Sequence, residues 1–262
     1  DFYSHKVFSL DMDGNSEVVV KVPGQPSGLG WMPDGTMLIV SMKDKKLLSF
    51  NNNALSEVAD LSNLAGFHCN DMVVDDHGNA YVGNFGFNTY SGEEIKPANL
   101  ILVRPGEDPC VAADDLLFPN GTVITPDGKT LIIGETYAAR LTAFDINEDA
   151  TLSNRRVWAD FTLDADEGNV PLPDGMCLDV EGAIWVASPS TAEVIRVKEG
   201  GEIFERIPVE TNAYACMLGG EDLKTLFICT SNASGVDPES ALREKSGKIE
   251  TVTVEVQGAG KP

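Results

Sequence analysis

The sequence predicts an all-β protein, a six-bladed β-propeller whose first blade is incomplete at the N-terminus of this chain. Two observations lead to this fold class. Short apolar runs rich in β-branched residues recur along the chain, whereas a helical spacing of apolar residues is nearly absent. The runs are also closed by Asp-Gly-type turns at a regular period, and a period of about 40 to 50 residues is typical of propeller blades.

The period follows from aligning the turns. Four turns end in a glycine and the fifth has a leucine in its place, at positions 35, 78, 128, 182 and 223. These positions are separated by 43, 50, 54 and 41 residues. The fifth is aligned by the strand that follows it, since KTLFI at residues 224–228 matches KTLII at residues 129–133. Each repeat therefore contributes one inner hairpin to a ring of sheets. A β-sandwich, the competing all-β fold, would not explain the repeat.

The two ends of the chain supply only outer strands. Residues 5–10 resemble the third strand of a blade, and residues 248–256 are expected to form the closing strand. One period back from Ser27 lies before Asp1, so the inner hairpin of the first blade is expected upstream. Residues 1–262 are expected to form a single propeller domain. Only residues 54–64 and 239–245 have any helical character, and both are short and polar enough to be loops or single turns.

The composition argues against several classes of partner. Nineteen basic and 41 acidic residues give a net charge of −22, which repels phosphate backbones and argues against nucleic-acid binding. The same charge either concentrates divalent cations near the surface or only keeps the protein soluble. No stretch approaches the roughly 18 to 20 apolar residues of a membrane span. Five cysteines without a C-x-x-C pair suit a reducing compartment, so a cytoplasmic location is expected.

One position of the repeat predicts a functional site. The first strand of every blade lines the central channel of a propeller, so residues at the same step of each repeat lie at the same depth. That step holds Ser27, Asn70, Asn120, Asp174 and Ala215. Four of the five have short oxygen-bearing side chains and one is a carboxylate, which together are typical ligands of a hard cation. Alternatively, each of them alone is a common turn former at the start of a strand.

Residues near this step are candidates for substrate binding. His68 lies two residues before the step residue of its repeat and should face the same side of an extended strand. Asn84 ends the next strand, and Tyr137 follows a buried strand at a place where it could line the mouth of the channel. Residues 86–97 are polar and contain glycine, as expected of a loop over that mouth. Glu135 is expected to be an exposed charge or a carboxylate at the rim.

Three motifs carry a resemblance to a known family. They are NDMVVD at residues 70–75, FPNG at 118–121 with TPDG at 125–128, and LPDGMCLD at 172–179. The run SNRR at residues 153–156, in the outer strand of a blade, is also familiar. With these motifs the chain resembles the SMP-30/gluconolactonase/regucalcin-like family of lactonases, from residue 1 to about residue 256. Each motif alone is weak, but their combination is specific.

The resemblance implies a six-bladed propeller that binds one divalent metal ion, with calcium favoured over zinc, manganese or magnesium. Asn120 and Asp174 match the family's metal ligands, and Asp174 also matches its general base. Asn70 matches an asparagine that contacts metal-bound water or substrate, so it is assigned to both sites. His68 stands where some relatives have a substrate-binding arginine. The family's remaining ligand, a glutamate on the first blade's inner strand, is expected upstream of this chain.

The resemblance implies hydrolysis of a small lactone, with the metal ion as Lewis acid and Asp174 as general base. No Ser/His/Asp triad is apparent, because none of the three histidines has a G-x-S-x-G partner. The alternatives are a non-catalytic propeller that binds calcium or other proteins, and a metal-dependent phosphotriesterase-like esterase. The expected partner is a small-molecule lactone, and the expected state is a monomer or small homo-oligomer.

Overall fold

The computed structural model describes residues 1–163, 169–233 and 238–260. Strands make up nearly all the regular structure of these residues, as the sequence predicts. The exceptions among the described residues are one helix, α1 (Pro238–Glu244), and the 3₁₀ turns Thr89–Ser91 and Thr136–Ala138. The chain divides into two compact units, Asp1–Pro119 and Asn120–Pro262. In the described part of the chain, no helix has the length and apolar character needed to cross a membrane.

The first unit contains three antiparallel sheets, each built from strands that follow one another in the chain. A two-stranded sheet joins β1 (Lys6–Leu10) and β2 (Ser16–Lys21). The next sheet has the order β3 (Pro26–Trp31), β4 (Met37–Ser41), β5 (Lys46–Asn51) and β6 (Ala54–Asp60). The third contains, in order, β7 (Cys69–Val74), β8 (Ala80–Asn84), β9 (Ala98–Val103) and β10 (Cys110–Leu116). This up-and-down order is that of a propeller blade.

The second unit repeats this arrangement in three further sheets. One sheet contains β11 (Pro119–Ile124), β12 (Thr130–Glu135), β13 (Arg140–Ile146) and β14 (Leu152–Asp160). The next contains β15 (Met176–Leu178), β16 (Ile184–Ser188), β17 (Glu193–Val197) and β18 (Ile203–Pro208). The last has three strands, β19 (Asn212–Gly219), β20 (Thr225–Ser231) and β21 (Lys248–Thr253), and α1 precedes β21.

The turns that define the repeat have the predicted backbone geometry. Gly35, Gly78, Gly128 and Gly182 have φ values of 84°, 84°, 70° and 78°, in the left-handed region that glycine enters without strain. Leu223 takes the same place in the fifth hairpin with φ 56°. The alignment of the fifth turn on its following strand is therefore confirmed.

Consecutive sheets within each unit pack face to face, and this packing forms the core. In the first unit, the cluster that contains Val40 of β4 also contains Val82 of β8, and both are fully buried. In the second unit, Leu141 of β13 and Ile195 of β17 share a cluster in the same way. A sheet covered on both faces buries every residue of its central strands, as all five residues of β16 are buried. The all-β propeller architecture predicted from the repeat is confirmed.

Three details of the prediction need correction. Residues 54–60 form strand β6, because the backbone pairs with β5 along its whole length and this overrides their weak helical character. The strand predicted over residues 248–256 is present as the third strand of the last sheet, paired with β20, but it ends at Thr253. Five sheets have three or four strands and one has two, so the described residues contain five blade-like sheets and not six.

Candidate active site

In the first unit, two residues of the predicted step lie against each other. Ser27 is the second residue of β3 and Asn70 is the second residue of β7, and Ser27 Oγ donates a hydrogen bond to Asn70 Oδ1 at 3.5 Å. The two strands approach closely because residue 28 is a glycine. A Cβ atom there would lie only 2.5 Å from the backbone nitrogen of Met72. The side chains at these strand starts therefore converge, as the repeat predicts.

The second unit brings its three step residues together in the same manner. Asn120 is the second residue of β11, Asp174 lies two residues before β15, and Ala215 lies on β19. A Cβ at Gly121 would lie 2.3 Å from the backbone oxygen of Asp174, and one at Gly175 would lie 2.8 Å from Cα of Ala215. Asn120 is buried and Asp174 is half-buried. A carboxylate and an amide therefore share one end of this unit's inner strands.

A threonine that sequence reasoning missed fixes the amide of Asn120. Asn120 Nδ2 donates to Thr136 Oγ1 at 3.2 Å, and Thr136 Oγ1 donates to the carbonyl oxygen of Pro173 at 2.7 Å. The bond from Asn120 sets the plane of its amide group. The bond from Thr136 links that group to Pro173, the residue before Asp174. In the sequence, the one signal for Thr136 is a hydroxyl group directly after β12, next to Tyr137.

His68 lies in a group of aromatic side chains at the start of β7. Its ring stacks on Phe67 with centroids 4.1 Å apart, and its backbone oxygen accepts a hydrogen bond from the nitrogen of Phe85. Burial, with smaller contributions from Lys43 and Lys45, lowers the pKa of His68 to about 4. The side chain is half-buried, so the predicted substrate contact stays open to it.

Asn84 holds two loops in place. Its side chain is fully buried, its Oδ1 accepts hydrogen bonds from the nitrogens of Gly66 and Gly86, and its Nδ2 donates to the oxygen of Asn99. Asn84 has no surface to offer a substrate. Its contribution to binding would be to position the loop before His68 and the loop after β8.

Asp71 is a second carboxyl group that sequence reasoning did not single out, although it follows Asn70 directly. Its Oδ1 accepts a hydrogen bond from the nitrogen of Met72 at 2.9 Å. Burial raises the pKa of Asp71 to about 6, and the bond from Met72 opposes part of that shift. The first unit therefore has one acidic group beside its step residue.

Two residues at the end of β12 and just after it, Glu135 and Tyr137, differ in their exposure. Tyr137 is 38% exposed, and burial of the rest of the ring raises the pKa of its hydroxyl. Glu135 was expected at the surface or rim, and this expectation is wrong. The carboxylate is fully buried and pairs with Arg140 at 2.8 Å and with Arg155 at 3.3 Å. A buried carboxylate needs such partners, and both arginines lie on strands of the same sheet as Glu135.

The sequence and geometry agree with one protein family. The model of the SMP-30/Gluconolactonase/LRE-like region matches residues 1–232 of the chain. The chain belongs to this family. The resemblance drawn from the three motifs is thereby confirmed.

Two characterised relatives illustrate the range of the family. Regucalcin of Xenopus laevis is 30% identical over 196 residues, which are 70% of this chain and 61% of that protein. The matched region thus covers less than two thirds of that relative's length. The 6-deoxy-6-sulfogluconolactonase of Pseudomonas putida is 24% identical over 264 residues, covering 100% of this chain and 88% of that protein.

A solved structure shows the same fold. Regucalcin of Agrobacterium tumefaciens, described as a calcium-binding protein, superposes with a TM-score of 0.80 at 22% identity. The superposition covers 100% of this chain and 86% of that structure. At this identity the likeness supports the propeller fold of this family member and no more.

The donor atoms at the strand starts suit a hard cation. Asn120 and Asp174 offer an amide and a carboxylate, the oxygen-bearing groups that calcium and magnesium prefer. In residues 1–163, 169–233 and 238–260, no three His, Cys, Asp or Glu side chains form a ligand cluster. An ion held here would therefore rely on amide oxygens as well as on the single carboxylate.

Proposed function

We propose that this chain is a metal-dependent hydrolase that opens a small lactone. The observation that carries the proposal is the pair Asn120 and Asp174, whose strand starts touch in the second unit and whose amide is fixed by Thr136. The family of the chain supports it, as does the name of the Pseudomonas putida relative. The substrate class is taken from that relative as a proposal for this chain.

The bound cation would polarise the lactone carbonyl and stabilise the negative charge that develops on its oxygen. Asp174 accepts a proton from the water that attacks the carbonyl carbon, as the bond between water oxygen and carbon forms. When the acyl bond to the ring oxygen breaks, Asp174 returns the proton to that oxygen. The product is a hydroxy acid, and the Asp174 carboxylate is restored.

The other predicted residues receive supporting roles in this proposal. Asn120 and Asp174 would hold the cation, and Asn70 would contribute to the same site or contact the substrate, as the sequence repeat predicts. His68 and Tyr137 would contact the substrate, and Asn84 would hold the loops that position His68.

The same proposal includes the number of blades, the identity of the metal ion and the cellular location. We assign β1 and β2 to a sixth blade, which would make residues 1–262 part of a single six-bladed propeller. Calcium is the favoured ion, because the donors are oxygen atoms and the solved relative is described as a calcium-binding protein. A cytoplasmic location, suggested by the scattered cysteines, completes the proposal.

A single assay tests the reaction. The metal-free protein is mixed with a panel of lactones, titrated separately with calcium, zinc, manganese and magnesium, and followed by acid release. We expect one metal to restore turnover in the wild type and in Asp127→Asn, a control that changes an exposed turn carboxylate of the same unit. Asp174→Asn and Asn120→Ala should stay inactive with every metal.

The same assay also distinguishes the proposed hydrolase from a second candidate function. A calcium-binding protein without catalysis is favoured by the description of the Agrobacterium tumefaciens relative. A non-catalytic protein would bind calcium in a manner that requires Asp174, and it would release no acid from any lactone. Full activity in a folded Asp174→Asn protein would contradict both readings of the site.

A further inference from the structure

Five aromatic side chains lie together at the end of β7 and β8 where Asn70 is found. We call this group the aromatic platform, and it consists of Phe67, His68, Phe85, Tyr90 and Phe118. Its members come from three loops of the first unit: the residues before β7, the loop after β8, and the residue before Pro119. The platform is thus assembled by the fold from distant parts of the sequence.

Phe85 is the base of the platform. It is only 8% exposed, and its ring stacks on Phe118 with centroids 4.5 Å apart and planes inclined by 22°. The rings of Phe67, His68 and Tyr90 lie within 6.0 to 6.5 Å of the same ring. Each of these three and Phe118 is half-buried, so the platform leaves part of its aromatic surface open to solvent. Partly exposed rings on a rigid base form an apolar binding surface.

His68 contributes the face of its ring to this surface. Its Nδ1 atom is buried and has no hydrogen-bond partner among the described residues. The side chain is held by stacking on Phe67 at 4.1 Å and by contact with Tyr90 at 5.7 Å. These ring contacts fix the position of the imidazole.

The platform is held rigidly beside Asn70. His68 precedes Asn70 by two residues, so the platform adjoins the start of β7, on which Asn70 lies. The bond from Phe85 nitrogen to His68 oxygen joins two of the loops, and Asn84 bonds to both. Such a preformed surface loses little entropy when a ligand binds.

Two of the charged groups near the platform, Glu93 and Lys45, are engaged within the chain. Glu93 accepts a hydrogen bond from the nitrogen of Asn88 and pairs with Lys96. Lys45 donates to the carbonyl oxygen of Ala65 at 3.1 Å, while Lys43 is exposed. The net charge of −22 also disfavours an anionic ligand. A ligand with many hydroxyl groups would find few partners on these rings, and unpaired hydroxyl groups weaken binding.

We infer that the substrate carries an apolar alkyl or aromatic substituent that packs on the aromatic platform. The chain therefore prefers lactones with an apolar substituent over polyhydroxylated sugar lactones. This inference rests on the proposed function, in which His68 of the platform and Asn70 beside it contact the substrate.

The test uses six-membered lactones that differ only in their substituents. Kinetics are measured on the metal-loaded protein with δ-valerolactone, its 6-pentyl and 6-phenyl derivatives, and glucono-δ-lactone. We expect kcat/KM for the two apolar derivatives to exceed that for glucono-δ-lactone by at least about tenfold. Equal or higher kcat/KM for glucono-δ-lactone overturns the inference and leaves the hydrolase intact.

Variants locate the preference on the platform. Tyr90→Ala should lower the ratio of kcat/KM for the 6-phenyl lactone to that for δ-valerolactone by about tenfold, whereas Tyr90→Phe, which keeps the ring, should retain it. Trp31→Ala is the matched control, because Trp31 is 52% exposed at the turn end of β3 and outside the platform. A ratio that Tyr90→Ala leaves unchanged, in protein with a wild-type melting temperature, contradicts the inference.

Binding provides a readout that does not need turnover. The Kd values of the 6-phenyl lactam and of the glucono lactam, which are not hydrolysed like the esters, are measured by calorimetry for the wild type and Tyr90→Ala. Tighter binding of the phenyl lactam, lost in Tyr90→Ala, supports the platform even if every lactone proves inert and the proposed reaction fails. Equal binding of the two lactams, or tighter binding of the glucono lactam, overturns it.

Discussion

At the turn end of the inner hairpins, carboxylates bind their own turn, whereas at the strand-start end polar side chains reach another strand or loop. The turn carboxylates accept backbone N–H groups two or four residues ahead; they are Asp34, Asp75, Asp127, Asp179 and Asp222. At the other end, Ser27 reaches Asn70 on the next sheet, and Asn120 reaches Thr136.

The difference separates polar groups that complete a turn from polar groups that are candidates for ligand binding within one repeat. A turn carboxylate that accepts hydrogen bonds within its own loop stabilises the turn and needs no ligand. A side chain held against a neighbouring strand start gains a fixed orientation toward a shared space. The same residue types, Asp and Asn, therefore serve different ends of the hairpin.

The largest effect is expected from the exchange of the strand-start carboxylate. Asp174→Asn should lower lactone kcat/KM by about 10³-fold, because it removes a proposed ligand and general base together. The melting temperature should change little, since Asp174 is half-buried. Asp127→Asn, at the turn end of the same unit, should keep wild-type kcat/KM. Equal losses of kcat/KM in the two variants would contradict a difference in role between the strand-start end and the turn end.

One turn carboxylate should have a large effect on stability. Asp179 is fully buried and bonds Arg196 Nε at 2.7 Å, in addition to its turn. Asp179→Ala leaves Arg196 buried without this partner and should cost about 3 to 5 kcal/mol in urea unfolding. Glu181→Ala removes the exposed partner of the same arginine and should cost less than about 1 kcal/mol. A small loss for Asp179→Ala would contradict this account of the turn end.

The close approach at the strand starts can be tested through its glycines. A Cβ at residue 121 would meet the backbone oxygen of Asp174 at 2.3 Å, and a backbone atom cannot move aside cheaply. Gly121→Ala should therefore lower the free energy of unfolding by about 1 to 3 kcal/mol and also reduce activity. Gly247→Ala, where nothing lies within 4 Å of the new atom, is the control for the exchange itself. Unchanged stability of Gly121→Ala would show that the strands do not meet there.

How far the sequence could predict these features depends on the range of the contacts involved. The turns and the strand-start residues repeat with a period, so Asn70, Asn120 and Asp174 could be singled out without a structure. Glu135 could not, because its partners Arg140 and Arg155 lie on β13 and β14 and only the pairing of the sheet brings them together. Thr136 was missed for the same reason, since its bonds run to two other segments.

The smallest effect is expected at an exposed turn. Hydrogen bonds from Thr125 and Lys129 lower the pKa of Asp127, so its stabilising effect is present above the usual aspartate pKa and is lost as the pH falls through the lowered pKa. Asp127→Ala should cost less than about 1 kcal/mol at pH 7. The difference from wild type should shrink as the pH is lowered below about 4 in urea unfolding. A difference that grows at low pH would reverse the assigned sign.

The most direct test of the division between the two ends is calcium binding measured by calorimetry on metal-free wild type, Asp174→Asn and Asp127→Asn. We expect one calcium ion per chain in the wild type and in Asp127→Asn, and none in Asp174→Asn. Retention of the ion in folded Asp174→Asn, or its loss in Asp127→Asn alone, would contradict the placement of function at the strand starts.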